Sequence, residues 1–187
     1  MRLFNRTALA MACALFIVTQ APAKARAGNY EAVGTAYFTN IKNGLAVGEP
    51  VPYFGIAYSH LTGFNTQTGS IQATSGLTQV PGSIAKFTFT GVVGPNPFLP
   101  GNHAVHVINT VHGDIYCDWS AVFTLEIINA NGDAVLSGDG DFTVVGGTGQ
   151  YRRATGSFKT LFETDTVPAG GNDAVAGVTQ SGNIRRR

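Results

Sequence analysis

The stretch GDGDFTVVGGTGQYRRATGSF, residues 138–158, decides what kind of fold this chain can adopt. Over residues 141–145 polar and apolar side chains alternate, with aromatic and β-branched residues among them, which is strand chemistry. Gly146, Gly147 and Gly149 follow and supply the positive φ that a tight reversal demands, with Gly147 or Gly149 expected to hold it. Residues 157–163 then resume strand chemistry, so the reading is strand, glycine turn, strand. A glycine cluster after a strand also cradles pyrophosphate in dinucleotide-binding folds, but there a helix opens at the turn. Here Thr155 and Gly156 lead into another β-rich segment, which removes that reading.

Outward from this hairpin, further strand signals fall at residues 30–39, 51–61, 84–93, 103–111, 115–128, 134–145, 157–166 and 174–180. Several alternate cleanly. Ala121, Phe123, Leu125 and Ile127 point one way and Thr124 and Glu126 the other, while Phe87 and Phe89 oppose Lys86, Thr88 and Thr90. Asn131-Gly132, between apolar segments, is the strongest hairpin signal and pairs the Val122 segment antiparallel with the Val135 segment. Residues 63–82, rich in Thr, Gln, Ser and Gly, read as a surface loop with at most a short strand at 70–74. Residues 94–101, with three prolines, read as a second loop. Abundant glycine, sparse charge and regularly spaced short strands specify an all-β sandwich or closed barrel in one domain.

The first 27 residues have the three parts of a secretory signal. Arg2 and Arg6 form a positive end, residues 8–19 are an apolar run too short to span a bilayer comfortably, and Ala25-Arg26-Ala27 is a small-x-small cleavage site. The expectation is an exported protein, periplasmic or extracellular, with residues 28–187 as the mature domain and no integral membrane segment after processing. Four of the twelve basic residues lie in this leader and none of the eleven acidic ones do, so the remainder carries a formal charge near −3. That argues against nucleic acid as a partner. Cys13 leaves with the leader, so Cys117 has no internal disulfide partner and reads as a buried small apolar residue.

Metal chemistry finds little support. In strand geometry His106 and His112 share a face but His103 lies on the other, no His-Glu-x-x-His helix occurs, and Asp133, Asp139 and Asp141 lack the twelve-residue loop of a calcium site. The segment HGDIYCDW, residues 112–119, is more unusual, because it concentrates two carboxylates, a phenol, an imidazole and the only tryptophan. Asp114, Tyr116 and Asp118 share one strand face. If that face lines an apolar lumen, a carboxylate there has a raised pKa and can act as acid or base; if it faces water, these are surface residues.

The glycine-rich stretch resembles the allene oxide cyclase and dirigent families, in which a strand ends in Val-Val-Gly-Gly-Thr-Gly or a close variant, then an aromatic residue and Ala-x-Gly. Here these are residues 144–149, Tyr151, and Ala154-Thr155-Gly156; Gly48-Glu49-Pro50-Val51-Pro52-Tyr53 resembles a second cyclase motif. The resemblance implies a calycin-like antiparallel β-barrel of about eight strands whose lumen holds a hydrophobic small molecule, commonly in trimers, with no metal and no organic cofactor. It also implies an isomerase, cyclase or lyase. The chain departs from the family at Gln150, where dirigent proteins carry an acid, and at Thr155, where they carry an arginine.

Two functions follow from different classes. One is a cofactor-independent barrel enzyme acting on an apolar, aromatic substrate, with Tyr53, His106, Tyr116 and Asp118 as catalytic candidates and Phe54, Trp119, Phe123 and Arg152 as ligand contacts. The other is a secreted barrel of the same fold that binds a small ligand or serves a structural role without chemistry.

Overall fold

The computed structural model describes residues 28–41 and 45–186. The expected leader 1–27 and the last residue of the Arg185-Arg186-Arg187 tail lie outside the described residues. Ten strands follow one another: β1 Asn29–Phe38, β2 Pro50–Ser59, β3 Gly63–Ala73, β4 Thr78–Gln79, β5 Lys86–Val93, β6 His106–Thr110, β7 Gly113–Ile127, β8 Ala134–Gly147, β9 Thr155–Thr164 and β10 Ala174–Arg185. Neighbours pair antiparallel throughout, and β10 returns to β1 over a ten-residue register from Asn29↔Asn183 to Phe38↔Ala174. The sheet therefore closes on itself. β1, β2, β3, β5, β7, β8, β9 and β10 form an eight-stranded barrel, with β4 against β5 and β6 inserted between β3 and β7 as two strands beyond those eight.

Closure explains why a chain with so little charge needs so many alternating strands. An open edge exposes unpaired N–H and C=O groups, and a barrel has no edge. Every strand then has one face in the lumen, and an eight-stranded barrel has an interior that side chains just fill. The inward rows run through Ala32, Ala36 and Phe38 on β1, Cys117, Trp119 and Phe123 on β7, Phe142 and Val144 on β8, and Phe158 and Thr160 on β9.

Both hairpins read from the sequence are present. β7 and β8 pair from Ile127↔Ala134 through Val122↔Asp139, and β8 and β9 pair from Ser137↔Glu163 to Val144↔Gly156. At the first, only Gly132 takes positive φ (85°), and the Asn129 side chain accepts from the Asn131 and Asp133 amides to hold the loop. At the second, Gly149 holds φ 54°. Gly147 stays outside that region, yet a Cβ there would run into the Asp114 carbonyl oxygen and the Tyr151 backbone.

The main correction to the sequence reading concerns residues 63–82. The first half is not a loop but β3, an eleven-residue wall of the barrel paired with β2 from Pro50↔Gln72 to Ser59↔Gly63. Its polarity is inverted, with Asn65 and Gln67 buried and Phe64 80% exposed, so hydropathy alternation points the wrong way. The wall between β3 and β7 is also discontinuous. β5 pairs with residues 71–73 of β3 and 120–126 of β7, whereas β6 pairs with residues 66–68 and 113–117. Between them the chain leaves the barrel, and the buried Asn96 amide ties that excursion back by donating to the carbonyls of Thr68 (3.2 Å) and Val105 (3.0 Å).

Candidate functional site

The lumen contains a cavity of about 60 Å3. Small inward side chains on β1 and β2, Ala36, Gly55 and Ala57, leave the space, and rings from Phe38 and Tyr53 on those strands and from Trp119, Phe142 and Phe162 across the lumen wall it. Roughly 10–15 Å3 suffices for one water and about 150 Å3 for benzene, so this space fits a few non-hydrogen atoms unless the rings move.

Tyr53 and His106 meet at this cavity. Tyr53 lies opposite Gly69 in the β2–β3 register, and its ring passes over that glycine so closely that an added Cβ would stand 2.5 Å from the phenol oxygen. The ring thereby reaches beyond β3 to β6, where the phenol oxygen sits 2.6 Å from His106 Nδ1. Both groups are buried. Burial pushes the Tyr53 phenol well above its usual range, and the Trp119 indole N–H, which faces the same phenol without reaching hydrogen-bond geometry, offsets part of that rise. Burial also lowers His106 from 6.5 to about 3, so the imidazole is neutral at ordinary pH.

Trp119 and His106 both pack on Phe142, the indole stacked at 5.6 Å between ring centroids and the imidazole edge-on at 5.2 Å. His106 Nε2 and Trp119 Nε1 are buried and have no hydrogen-bond partner among the described residues. These two atoms stand apart from the other polar groups of the lumen.

On another side of the cavity Gln67 and Gln180 form a reciprocal amide pair, each side-chain nitrogen donating to the other's oxygen at 2.9 and 3.0 Å. Tyr30 donates its hydroxyl to Gln180 Oε1 at 2.7 Å, and Gln67 also donates to Asn65 Oδ1 at 3.1 Å. Asn65 continues to Thr62, and Thr62 to Ser59. Each member of this chain is satisfied by another, as buried polar groups must be.

Of the residues proposed from sequence, Tyr53, His106, Trp119 and Phe123 line the cavity. The other four do not. Tyr116 and Asp118 stand on the outer face of β7, because Cys117 and Trp119 between and beside them take the inward positions. Asp118 is exposed and accepts from the Trp119 backbone amide at 2.8 Å. Asp114 is likewise outside, bonded to Asn109 and Thr148. Phe54 is on the outer wall and 44% exposed, and Arg152 is exposed beyond the β8–β9 turn. The HGDIYCDW segment therefore splits across the wall, its carboxylates and Tyr116 going to the outside and its indole to the lumen.

Sequence reasoning missed Gln67 and Gln180 as lumenal, and Phe38, Phe142 and Phe162 as ring walls. The aromatic three were readable from alternation within their strands; Gln67 was hidden by the inverted polarity of β3. Asp139 and Asp141 lie on the outer face of β8, where Lys159 reaches them at 3.0 and 3.6 Å. Among the described residues no group of three or more His, Cys, Asp or Glu is placed to hold a metal ion, and no helix is long and apolar enough to cross a membrane. Cys117 is buried in the lumen wall, and burial raises its thiol.

No family model matches the chain, and neither curated proteins nor solved structures give a match.

Proposed function

We propose that this chain is an exported barrel that binds one small, neutral, largely apolar molecule in its lumen. The observation that carries this reading is the aromatic cavity lined by two buried N–H-bearing rings, His106 and Trp119, each of which leaves a ring nitrogen with no partner among the described residues. Burying such groups costs roughly 1–3 kcal/mol each, and a ligand that pairs them recovers it. The leader-like first 27 residues support export, and the family resemblance supports a hydrophobic guest.

A second reading, a cofactor-independent isomerase or lyase, draws on the 2.6 Å contact between Tyr53 and His106. The geometry favours binding over chemistry. Tyr116 and Asp118 are on the far side of the wall, and the remaining pair is held neutral at both members, so neither is poised to give or take a proton near pH 7. Gentle purification followed by solvent extraction and untargeted mass spectrometry separates the readings. The binding reading expects a co-purifying neutral compound recovered unchanged after incubation. Conversion of that compound, abolished by Tyr53→Phe while binding persists, would establish the enzyme instead.

A further inference from the structure

The hydrogen-bonding sense of the Tyr53–His106 contact fixes what the cavity asks of its guest. The Tyr53 hydroxyl has one hydrogen-bond partner among the described residues, His106 Nδ1. A phenol in this setting keeps its proton and donates it, so Nδ1 is the acceptor and the imidazole proton resides on Nε2. The Nε2–H then joins the Trp119 Nε1–H as a second donor, both rings lining the same cavity and packing on the same Phe142. His106 is 1% exposed and Trp119 5%, so solvent does not serve either group. No charged side chain lines the cavity, which disfavours a carboxylate, phosphate or ammonium guest, since a charge buried without a counter-charge is expensive.

We infer that the lumenal site is selective for a neutral ligand carrying a carbonyl-type oxygen, which accepts from His106 Nε2–H and Trp119 Nε1–H while its apolar body lies against Phe142 and Phe162. This rests on the lumenal-binding reading above. A site built to donate discriminates strongly against an analogue that lacks the acceptor, because the donors then stay unpaired. An alcohol is an inferior guest, because a hydroxyl that accepts from both donors must also place its own hydrogen. The phenol oxygen beside them, that of Tyr53, already faces the Trp119 indole N–H.

Three probes of five non-hydrogen atoms test this: 2-butanone, 2-butanol, and 2-methyl-1-butene, in which a methylene replaces the ketone oxygen. Trp119 is the chain's only tryptophan, so its indole N–H gives one unambiguous signal in a proton–nitrogen correlation spectrum of the 15N-labelled protein. Titration with 2-butanone is expected to move that signal downfield in a saturable manner, with affinity at least tenfold above that of 2-methyl-1-butene and also above that of 2-butanol. In His106→Phe the ketone preference is expected to shrink while the alkene still binds. Equal affinity for ketone and alkene would overturn the acceptor inference and leave lumenal binding standing. Preference for 2-butanol would overturn it too, by showing that the dyad offers the opposite hydrogen-bonding sense. If none of the three probes perturbs the indole or any lumenal resonance at millimolar concentration, the lumenal-binding reading itself fails.

Discussion

Two polar clusters occupy the same lumen and touch the same cavity, but they are satisfied to different degrees. Around Gln67 and Gln180, amides, hydroxyls and the Tyr30 phenol pair among themselves through to Ser59. Around His106 and Trp119, one close contact is made and two ring nitrogens are left over. Equal burial with unequal pairing separates two jobs. The first cluster spans the barrel from β2 to β10 and holds its walls in register, since any slip would strand several donors at once. The second carries its desolvation cost without repayment from the protein, and on the proposed lumenal-binding reading a guest offsets it.

The comparison can be broken first at Gln180. Replacing it with Leu leaves the Gln67 amide and the Tyr30 hydroxyl without their partner, and stability is expected to fall by about 3 kcal/mol in urea denaturation. A loss below about 1 kcal/mol would show that the amide pair does not hold the barrel.

Gly69→Ala probes the other cluster through its geometry. A Cβ 2.5 Å from the Tyr53 oxygen forces the ring away from His106, and a loss of about 2 kcal/mol is expected together with a shifted His106 side-chain signal. An unmoved His106 signal would mean that the tyrosine contact adapts and is not fixed by the glycine.

Acid sharpens the contrast further, because only one cluster titrates. His106 has a folded value near 3 against an ordinary 6.5, so between these values the unfolded chain binds the proton that the folded chain refuses. Its contribution is therefore intact above about pH 6.5 and lost as pH falls toward 3, by about 1.4 kcal/mol per pH unit where the dependence is steepest. Urea midpoints of the wild type and His106→Phe, followed from pH 7 to pH 4, are expected to show a shallower slope in the variant. Parallel slopes would place the imidazole in contact with water.

The smallest change expected is that of Tyr30→Phe, which removes one hydroxyl from the satisfied cluster without touching the cavity. A loss of about 1 kcal/mol is expected, with ligand affinity unchanged.

The fold was readable to the extent that alternation was honest. β7 and β8 carry apolar residues inward and polar ones outward, and the Asn131-Gly132 and Gly146–Gly149 signals joined them to their neighbours correctly. β3 defeated the same rule, because its lumenal row is Asn65, Gln67 and Gly69 and its outer row contains Phe64; a polar network inside a barrel inverts the hydropathy on which strand reading depends. The site was half legible for a related reason. Parity placed Asp114, Tyr116 and Asp118 together on one face, as observed, but parity alone does not say which face is inside when the alternate face holds Cys117 and Trp119. Tyr53 and His106, 53 residues apart, meet only through barrel closure and the gap at Gly69, which no local pattern encodes.

The division between holding and binding is tested most directly by measuring how much 2-butanone stabilises three proteins against urea: wild type, Tyr30→Phe and His106→Phe. Ligand that binds only the folded state raises stability by RT ln(1 + [L]/Kd), about 2.7 kcal/mol at a hundredfold excess over Kd. The wild type and Tyr30→Phe are expected to gain the same increment, although Tyr30→Phe starts from lower stability, and His106→Phe is expected to gain much less. Equal increments in all three, or an increment lost in Tyr30→Phe and kept in His106→Phe, would contradict the assignment of the unpaired cluster to ligand binding.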